Sequence, residues 1–309
     1  MRNKCSLTVI ILTYNEEIHL ARAIKSVSSI AKRVIVVDSY SSDETVQIAV
    51  KLGAEVFTNK FVNQSRQFQW ALDSIRIDTD WVMRLDADEI VEQDLCEEIE
   101  SRLPLVKAET VGINFKRKHI FLGKWIKHGG RYPLILLRMW RNGKGKIEDR
   151  WMDEHIVVWG GKVVTFEGGF SDHNLNDLTF FTQKHNKYAT REAVDIINQK
   201  SNLFPRDIEL STSSSSFQAS MKRYIKENLY NKIPFQISAL LYFLFRYIVQ
   251  LGFLDGKPGV TYHFLQGFWY RFLVGAKVYE LEKELRNETS KYLIIKRLSE
   301  LTGLDLPEE

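Results

Sequence analysis

The sequence predicts an α/β fold in which a mixed, mostly parallel sheet is flanked by helices and followed by a helical, aromatic-rich C-terminal extension. Segments typical of strands and helices alternate four times in about the first 90 residues, which favours a parallel sheet with crossover helices. After about residue 105, strand-like segments are joined by turns of Gly and Lys. Residues 217–280 contain 16 aromatic side chains in 64 positions and are predicted to be helical.

The predicted strands of the first half are short apolar runs with amphipathic segments between them. Residues 7–12 form a continuous apolar run rich in β-branched side chains, which predicts a strand buried on both faces. A helix is predicted from Glu16, with an apolar stripe of Ile18, Ala21, Ile24 and Val27. The next predicted elements are a strand at 33–37 ending at Asp38, a helix capped by Asp43 and running to about Leu52, a strand at 55–58, a helix at 65–75 and a strand at 81–85 ending at Asp86.

The rest of the chain divides into further strands and a helical region. Strands are predicted at 111–118, 134–140 and 157–166. The low-complexity segment 211–216 is rich in Ser and predicts a boundary or a flexible loop. A length of 309 residues fits one large domain with an appended module. We therefore predict one domain over residues 1–210 and a helical region over residues 217–309.

The net charge of +4 conceals an unequal distribution along the chain. Residues 1–100 hold 11 basic and 17 acidic side chains, a net of −6, and residues 101–309 hold 32 and 22, a net of +10. Eleven of these basic residues lie in 116–150. The excess favours an anionic partner such as a phosphate, a lipid surface or nucleic acid, although a solvated basic surface is the simpler explanation. Nucleic acid is disfavoured because the sequence contains no recognised binding module.

Cysteine usage and the N-terminal sequence indicate a reducing compartment. The two cysteines, Cys5 and Cys96, make neither a disulfide framework nor a zinc site. The apolar run at 7–12 is too short for the hydrophobic core of a signal peptide, and no small-residue cleavage site follows it. We therefore expect that the protein is not exported.

Polar residues follow three predicted strands at their carboxyl ends, where parallel sheets bind ligands. They are Thr-Tyr-Asn-Glu at 13–16, Asp38 and Asp86. The turn at 13–16 has no glycines and matches neither G-x-G-x-x-G nor a P-loop, which disfavours a dinucleotide enzyme or an NTPase. Asp38 can accept a hydrogen bond from a base or ribose, or it can be a turn aspartate.

The segment 84–89, Arg-Leu-Asp-Ala-Asp-Glu, delivers two carboxylates two residues apart at the end of an apolar strand. Asp86 and Asp88 offer hard oxygen ligands suited to Mg²⁺ or Mn²⁺. Such an ion would bridge the phosphates of a nucleotide and neutralise a departing diphosphate. The alternative is a solvated acidic turn that caps the following helix.

Two further groups of residues can contribute chemistry. Residues 148–155 place four acidic side chains around Trp151. They offer a carboxylate base and an apolar surface for a sugar ring, or only a charged loop. His173, within Ser-Asp-His-Asn at 171–174, can be a late metal ligand or have a structural role. The sequence contains no H-E-x-x-H, which excludes a zincin.

An apolar segment at 239–245 lies within the predicted C-terminal helical region. Arg246 and Gln250 follow it, which disfavours a transmembrane span. An interfacial helix fits the basic residues upstream, which are Lys222, Arg223, Lys226 and Lys232. A helix in the protein core is the alternative.

Four motifs in this order resemble those of family 2 glycosyltransferases, which have the GT-A fold. They are Thr-Tyr-Asn-Glu at 13–16, Val-Val-Asp-Ser at 36–39, Arg-Leu-Asp-Ala-Asp-Glu at 84–89 and Asp-Glu-His at 153–155. The resemblance runs from about Leu7 to Tyr188 and is closest to the branch that contains lipopolysaccharide-core beta-glucosyltransferases. The run of residues 252–256, Gly-Phe-Leu-Asp-Gly, followed by Gly259, is also similar to that branch.

The resemblance implies an inverting transfer of sugar from a nucleotide-diphosphate sugar, a UDP-sugar, to a hydroxyl of a glycan or glycolipid acceptor. The product would belong to surface polysaccharide or lipopolysaccharide synthesis. The residues implied to bind the nucleotide sugar are Thr13, Tyr14, Glu16, Asp38, Arg66 and Asp86. A divalent ion, Mn²⁺ or Mg²⁺, would be held by Asp86, Asp88 and His173. One carboxylate of the pair Asp153 and Glu154 would deprotonate the acceptor hydroxyl, and we favour Asp153.

We expect the protein to act in the cytoplasm at the inner face of the cell membrane, in peripheral contact with anionic lipid and without nucleic acid. Two alternatives stay open. A sugar-nucleotide hydrolase or nucleotidyltransferase could use the same aspartates, and product analysis with and without an acceptor distinguishes it. A non-catalytic protein could bind glycan or membrane through the aromatic C-terminal region, and failure to bind any nucleotide sugar with Mn²⁺ would favour it.

Overall fold

The computed structural model describes residues 4–148, 155–204, 233–288 and 290–307. The chain divides into two compact units, Met1–Leu175 and Asn176–Glu309. The boundary predicted at 211–216 lies outside the described residues. The observed division comes earlier in the chain because the long helix Leu178–Ser201 packs against helix Tyr270–Glu284 within the second unit.

The first unit is built around a mixed sheet. Its described strands are β1 (Cys5–Thr13), β2 (Ala31–Asp38), β3 (Glu55–Thr58), β4 (Trp81–Asp86), β5 (Glu89–Val91), β6 (Thr110–Phe121), β7 (Lys124–Ile126), β8 (Leu134–Arg141), β9 (Gly145–Ile147), β10 (Ile156–Val158) and β11 (Lys162–Asp172). Within the described residues, nine strands form one sheet in the order β3-β2-β1-β4-β8-β6-β11-β5, with β7 paired to β6. Strands β5, β7 and β8 run against the other six. The predicted mixed, mostly parallel sheet is therefore confirmed.

Helices cover both faces of the sheet. The helices of the first unit are α1 (Leu20–Val27), α2 (Thr45–Lys51), α3 (Gln64–Ser74) and α4 (Gln93–Arg102). Alternate residues of β1 face opposite layers, because Ile10 packs with Phe68 of α3, whereas Ile11 belongs to the cluster that contains Leu20 of α1. Burying one such side chain completely stabilises the fold by about 1.5–3 kcal/mol. This two-sided burial explains the unbroken apolar run at 7–12.

The first helix begins at Leu20, so the predicted start at Glu16 was wrong. Ile18, which the prediction placed on the apolar stripe, is exposed, and Leu20 is buried in its place. The reason is a turn before the helix, in which the carbonyl of Glu16 accepts hydrogen bonds from the N–H groups of His19 and Leu20. The turn delays the start of the helix, while Ile24 and Val27 of the predicted stripe are buried.

The strand predicted at 157–166 is two strands. β10 ends at Val158 and pairs with β9, whereas β11 begins at Lys162 and pairs with β6. Gly160 has a φ of +79°, and a Cβ on Gly161 would lie 2.3 Å from the carbonyl oxygen of Glu109. These two glycines allow the chain to leave one pair of strands and enter the main sheet.

The second unit is helical, as predicted. Its described helices are α5 (Leu178–Ser201), α6 (Phe235–Leu244), α7 (Gly256–His263), α8 (Tyr270–Glu284) and α9 (Lys291–Thr302). Two π-helical turns, Phe245–Val249 and Phe264–Trp269, and a 3₁₀ turn, Gly252–Asp255, join α6, α7 and α8. Side chains of α5, α8 and α9 share a buried cluster that includes Ile197, Leu281 and Leu298.

Among the described residues, each helix taken singly is too short or too polar to cross a bilayer. The pair Phe235–Val249 and Gly252–Glu284 meets the requirements of length and composition only when the two are taken together, and it is bent by 72°.

Candidate functional site

The carboxyl ends of β1, β2 and β4 meet at one edge of the sheet. Thr13 at the end of β1 lies opposite Asp38 at the end of β2, and Leu12 lies opposite Asp86 at the end of β4. This register follows from three buried apolar runs that align in parallel and give way to polar residues at the same level. The edge thus gathers three of the side chains singled out in the sequence, Thr13, Asp38 and Asp86.

Asp38 is almost fully buried and holds the turn that follows β2. Its Oδ1 accepts a hydrogen bond from the Thr13 hydroxyl at 2.9 Å, and its Oδ2 accepts one from the Ser41 N–H at 2.8 Å. The Ser41 hydroxyl also donates to Oδ1, at 2.5 Å. Asp38 therefore organises the turn, and a ligand that donates to Oδ1 would take the place of the Ser41 hydroxyl.

Two exposed tyrosines stand beside this turn. Tyr14 follows β1, and Tyr40, which the sequence analysis did not single out, follows β2. Asn15 and Tyr40 have φ values of +54° and +63°, which are uncommon for residues other than glycine. The Asn15 N–H donates to the Ser41 hydroxyl at 2.8 Å and ties the two turns together. Both phenol rings are available to stack on a nucleobase.

Glu16 is engaged within the protein. Its carboxylate accepts a hydrogen bond from Nδ1 of the buried His19 at 2.6 Å. The roles of the two ring nitrogens follow from Nε2, which accepts a hydrogen bond from the Leu175 N–H at 2.9 Å. The Glu16 N–H donates to the Thr45 hydroxyl at 2.8 Å. Glu16 thus anchors the turn after β1 in this structure.

Asp86 lies between two arginines. Arg84 Nε donates to Asp86 Oδ1 at 3.1 Å, and Arg138 Nη2 donates to Asp86 Oδ2 at 3.3 Å. The same Arg138 nitrogen donates to Glu89 Oε1 at 2.5 Å, and the Asp86 N–H donates to Glu89 Oε2 at 2.9 Å. Arg138 belongs to β8 and was missed in the sequence analysis, because no local signal shows that β8 pairs with β4.

The pKa values of the two carboxyl groups are shifted in opposite directions. Burial disfavours the charged form of Asp86, but the guanidinium groups of Arg84 and Arg138 outweigh it and hold the pKa of Asp86 well below its usual range. Burial raises the pKa of Glu89, although Arg138 opposes this effect. Asp86 is therefore the carboxylate that carries the negative charge of this cluster.

Asp88 and His173 are brought together by the pairing of β5 with the end of β11, in which Glu89 lies opposite Asp172. The His173 N–H donates to the Asp88 carbonyl oxygen at 2.9 Å, and the Asp88 carboxylate accepts a hydrogen bond from Asn174 Nδ2 at 3.0 Å. Two of the three predicted metal ligands are thus neighbours, although 85 residues separate them in the sequence.

Arg22 of α1 joins this pair. Its Nη2 donates to the His173 carbonyl oxygen at 2.9 Å, and its Nη1 lies 3.3 Å from His173 Nδ1. Burial and the nearby Arg22 lower the pKa of His173, so its imidazole is neutral at pH 7. Arg22 Nε is buried and has no hydrogen-bond partner among the described residues, so it retains one donor for a phosphate oxygen.

The donor set fits a divalent ion that is shared with a bound diphosphate. A carboxylate on Asp88 and a neutral imidazole on His173 are ligands of the type that Mg²⁺ or Mn²⁺ accepts, whereas both oxygens of Asp86 are engaged by guanidinium groups. The described part of the chain contains no group of three or more His, Cys, Asp or Glu side chains placed to hold a metal ion. Ions of this kind often take one or two protein ligands and fill the remaining positions with substrate phosphates and water.

The two predicted catalytic residues, Asp153 and Glu154, lie outside the described residues. The described flanks of this segment are close together, because the Glu148 N–H donates to the His155 carbonyl oxygen at 2.9 Å. The Ile147 N–H donates to Gln69 Oε1 at 3.1 Å, which ties β9 to α3.

Arg66 lies in the first turn of α3, where its N–H donates to the capping side chain of Asn63 at 2.7 Å. Its own side chain is exposed. The described residue Ile147 therefore contacts the same helix that carries Arg66.

Residues 8–158 match the family model described as glycosyl transferase family 2. This segment, just under half of the chain, is similar to glycosyltransferase family 2. It contains Thr13, Asp38, Asp86 and Asp88 as well as residues 149–154. The match confirms the family named in the resemblance and, with the observed sheet topology, the predicted GT-A fold class.

Curated relatives that match part of this chain are named as uncharacterized glycosyltransferases. An uncharacterized glycosyltransferase of Rickettsia typhi is 45% identical over 94 residues, which is 30% of this chain and 32% of the relative. Another, from Rickettsia conorii, is 45% identical over 30% of this chain and 33% of its own length. The chain spans about a third of the length of the curated relatives it matches.

Solved structures match this chain over a limited region. Glucosyl-3-phosphoglycerate synthase from Mycobacterium tuberculosis, in complex with Mn²⁺, UDP and glucosyl-3-phosphoglycerate, is 21% identical, with a TM-score of 0.31. The similarity covers 37% of this chain and 43% of that enzyme.

Proposed function

We propose that the chain is an inverting glycosyltransferase that moves a sugar from a UDP-sugar to a hydroxyl of a glycan or lipid-linked acceptor. One observation carries this proposal. The family 2 domain brings Asp38, Asp86 and Asp88 to one edge of its sheet, and pairs Asp88 with His173 there. In parallel sheets this edge is where ligands bind.

The donor would lie along this edge. Tyr14 and Tyr40 are exposed beside the buried Asp38, which suits a stacked uracil near the ribose. Arg22 has a buried Nε donor that can meet a diphosphate oxygen. Asp88 and His173 would hold Mg²⁺ or Mn²⁺, which when bound would offset the negative charge of the departing diphosphate.

The transfer is a single displacement. The acceptor oxygen forms a bond to the anomeric carbon from the face opposite the diphosphate, the bond from that carbon to the diphosphate oxygen breaks, and UDP leaves. The acceptor proton passes to a carboxylate, Asp153 or Glu154, as the resemblance to the family implies. The same resemblance supports an acceptor of the lipopolysaccharide or surface-polysaccharide type, and the net charge of +10 over residues 101–309 supports a site at the anionic inner face of the membrane.

The test measures UDP release from a panel of UDP-sugars with Mn²⁺, with and without a glycan or lipid-linked acceptor. We expect release that requires the acceptor and that EDTA abolishes. Asp88→Asn should lower the rate at least about 100-fold, because charge stabilisation of the leaving diphosphate is lost. The matched control is Asp80→Asn, which removes an exposed carboxylate at the opposite end of β4. This variant should retain activity.

Three results would overturn the proposal. Release of UDP without an acceptor would indicate a hydrolase. Full activity in Asp88→Asn would remove the assigned metal site. Absence of a thermal shift with every nucleotide sugar in the presence of Mn²⁺ would favour a non-catalytic protein.

A further inference from the structure

The segment from α6 to the start of α8 presents apolar side chains to solvent. Thirteen large apolar side chains between Phe235 and Phe272 are exposed, among them Ile248 at 55% and Val249 at 66%. On α6 and the π-helical turn after it, Ile237, Leu241, Leu244 and Ile248 recur at spacings of three and four residues and therefore form one stripe. We call the exposed apolar side chains of residues 237–264 the apolar face.

Three titratable side chains of the same segment are buried. Arg246, Asp255 and His263 are 4%, 2% and 0% exposed, and His263 Nε2 lies 3.8 Å from Asp255 Oδ2. The Arg246 guanidinium lies over the rings of Tyr242 and Tyr262, at 5.5 and 5.6 Å from their centres. This is the reverse of a water-facing helix, in which charged groups are exposed and apolar groups buried.

Between Phe235 and Tyr270, only one Lys, Arg, Asp or Glu side chain is exposed to solvent. Between Phe235 and Tyr270, all of which the structure describes, the Lys and Arg residues are Arg246 and Lys257 and the one acidic residue is Asp255. Lys257 is exposed, and the other two are buried. Elements that face lipid show this distribution, because an ionisable group in hydrocarbon is costly unless it turns toward the protein.

Two glycines allow close packing around the buried His263 and Asp255. A Cβ on Gly252 would lie 2.6 Å from the ring of His263, and one on Gly259 would lie 2.4 Å from Cβ of Asp255. Leu251 has a φ of +59° at the 72° bend between the two helical segments. At this bend the N–H groups of Gln250 and Leu251 donate to the carbonyl oxygens of Phe245 and Ile248. Small residues at helix contacts and hydrogen-bonded backbone at a bend are both compatible with a lipid environment.

We propose that the bent segment Phe235–Val249 and its continuation to Trp269 enter one leaflet of a lipid bilayer through the apolar face, as a monotopic anchor. The first arm has 15 residues, which as a helix reach about 22 Å and so fall short of the roughly 30 Å hydrocarbon core. The bend then returns the chain to the surface it entered from.

The surrounding charges favour an anionic bilayer over a second copy of the chain. Lys222, Arg223, Lys226 and Lys232 precede the segment in the sequence, and Arg271 is exposed immediately after it. Basic residues on both sides of an apolar insertion suit anionic headgroups. Two copies paired through this face would place their cationic flanks near each other. The anchor would keep the protein where a lipid-linked acceptor is presented, and only this last consequence rests on the proposed function.

The test uses the full-length protein and sucrose-loaded vesicles of phosphatidylethanolamine and phosphatidylglycerol. We expect the wild type to sediment with them and to remain bound in 1 M NaCl, since insertion is apolar. Leu241→Asn/Ile248→Asn should lower the bound fraction at least tenfold. Val50→Asn/Leu105→Asn removes two apolar side chains of the first unit that are more exposed than Leu241 and Ile248, and this variant should bind as the wild type does.

A second readout reports insertion directly. A fluorophore on Ile248→Cys, in a background with Cys5→Ser and Cys96→Ser, should shift to the blue with vesicles and be quenched by brominated acyl chains. The same probe on Val50→Cys should do neither.

Three results would each overturn the anchor. They are loss of binding in 1 M NaCl, an unshifted probe at position 248, and a lipid-free dimer that Leu241→Asn/Ile248→Asn dissociates. Acceptor-dependent UDP release with a soluble acceptor should persist in Leu241→Asn/Ile248→Asn, so failure of the anchor and failure of the proposed activity are distinguishable.

Discussion

Arg138 of β8 donates to Asp86 at the end of β4, with 3.3 Å between Nη2 and Oδ2. The same nitrogen donates to Glu89, so one buried guanidinium serves two carboxylates. Arg84 contacts the other oxygen of Asp86. The charge of Asp86 is thus offset within the protein, which leaves Asp88 as the carboxylate best placed to meet a metal ion.

Arg138→Met should lower the free energy of unfolding by about 3 kcal/mol or more at pH 7, because it leaves the buried Glu89 without its cation and Asp86 with Arg84 alone. Urea denaturation at constant pH measures this. Lys162→Met removes the cation of an exposed pair with Glu109 and should cost less than about 1 kcal/mol. Arg138→Met/Glu89→Gln should recover part of the loss, since it removes one of the two carboxylates. Equal losses in Arg138→Met and Lys162→Met would contradict a buried network.

The contrast between Asp86 and Arg138 shows what the sequence could and could not predict. The strands that end at Thr13, Asp38 and Asp86 were predictable, since each is a buried apolar run that gives way to a polar residue. That β8 lies beside β4 depends on pairing between segments about 50 residues apart. Local periodicity carries no information about such a pairing, so the partner of Asp86 could not be identified.

Backbone conformation was a second limit. The turn before α1 removed Ile18 from the predicted apolar stripe, because Ile18 lies in the turn and Leu20 begins the helix. Tyr40 adopts a positive φ that propensity does not predict for a tyrosine. The pairing of Asp88 with His173 likewise depends on β5 meeting the end of β11. Each of these features is imposed by tertiary contacts.

The acceptor base can be assigned by comparing two conservative substitutions. Asp153→Asn should lower the rate of transfer by about 10²–10⁴-fold, since it removes the group that takes the acceptor proton. Binding of the UDP-sugar, measured by its thermal shift with Mn²⁺, should be unchanged. Glu154→Gln should have the smaller effect on rate. The reverse order would assign the base to Glu154, and weakened donor binding in both variants would argue against a role confined to the acceptor.

The ion pair between Arg33 and Glu55 predicts a pH dependence of stability away from the site. Arg33 donates to both carboxylate oxygens of Glu55 at 2.8 Å, and this hydrogen bonding holds the pKa of Glu55 below its ordinary value of 4.5. A lowered carboxyl pKa stabilises the fold above the ordinary value and loses that effect as the pH falls through the lowered value. Glu55→Gln should therefore cost up to about 1 kcal/mol at pH 7, limited by solvent screening, and progressively less below pH 4.5. Urea titrations at a series of pH values test this, and a difference that grows toward low pH would contradict it.

Tyr40 offers a way to separate nucleotide binding from folding. Its ring is exposed beside Asp38, while its φ of +63° is one that glycine adopts without strain. Tyr40→Gly should weaken UDP binding by about 1–3 kcal/mol, which is the usual effect of losing one stacked base. It should change the free energy of unfolding by less than about 1 kcal/mol, because relief of backbone strain offsets the greater freedom of the unfolded chain. Calorimetric titration with UDP and urea denaturation measure the two effects. Tyr279→Ala removes an equally exposed ring from the second unit and should leave UDP affinity unchanged. Unchanged affinity in Tyr40→Gly would exclude stacking at this position, since no other property of the turn after β2 requires the ring.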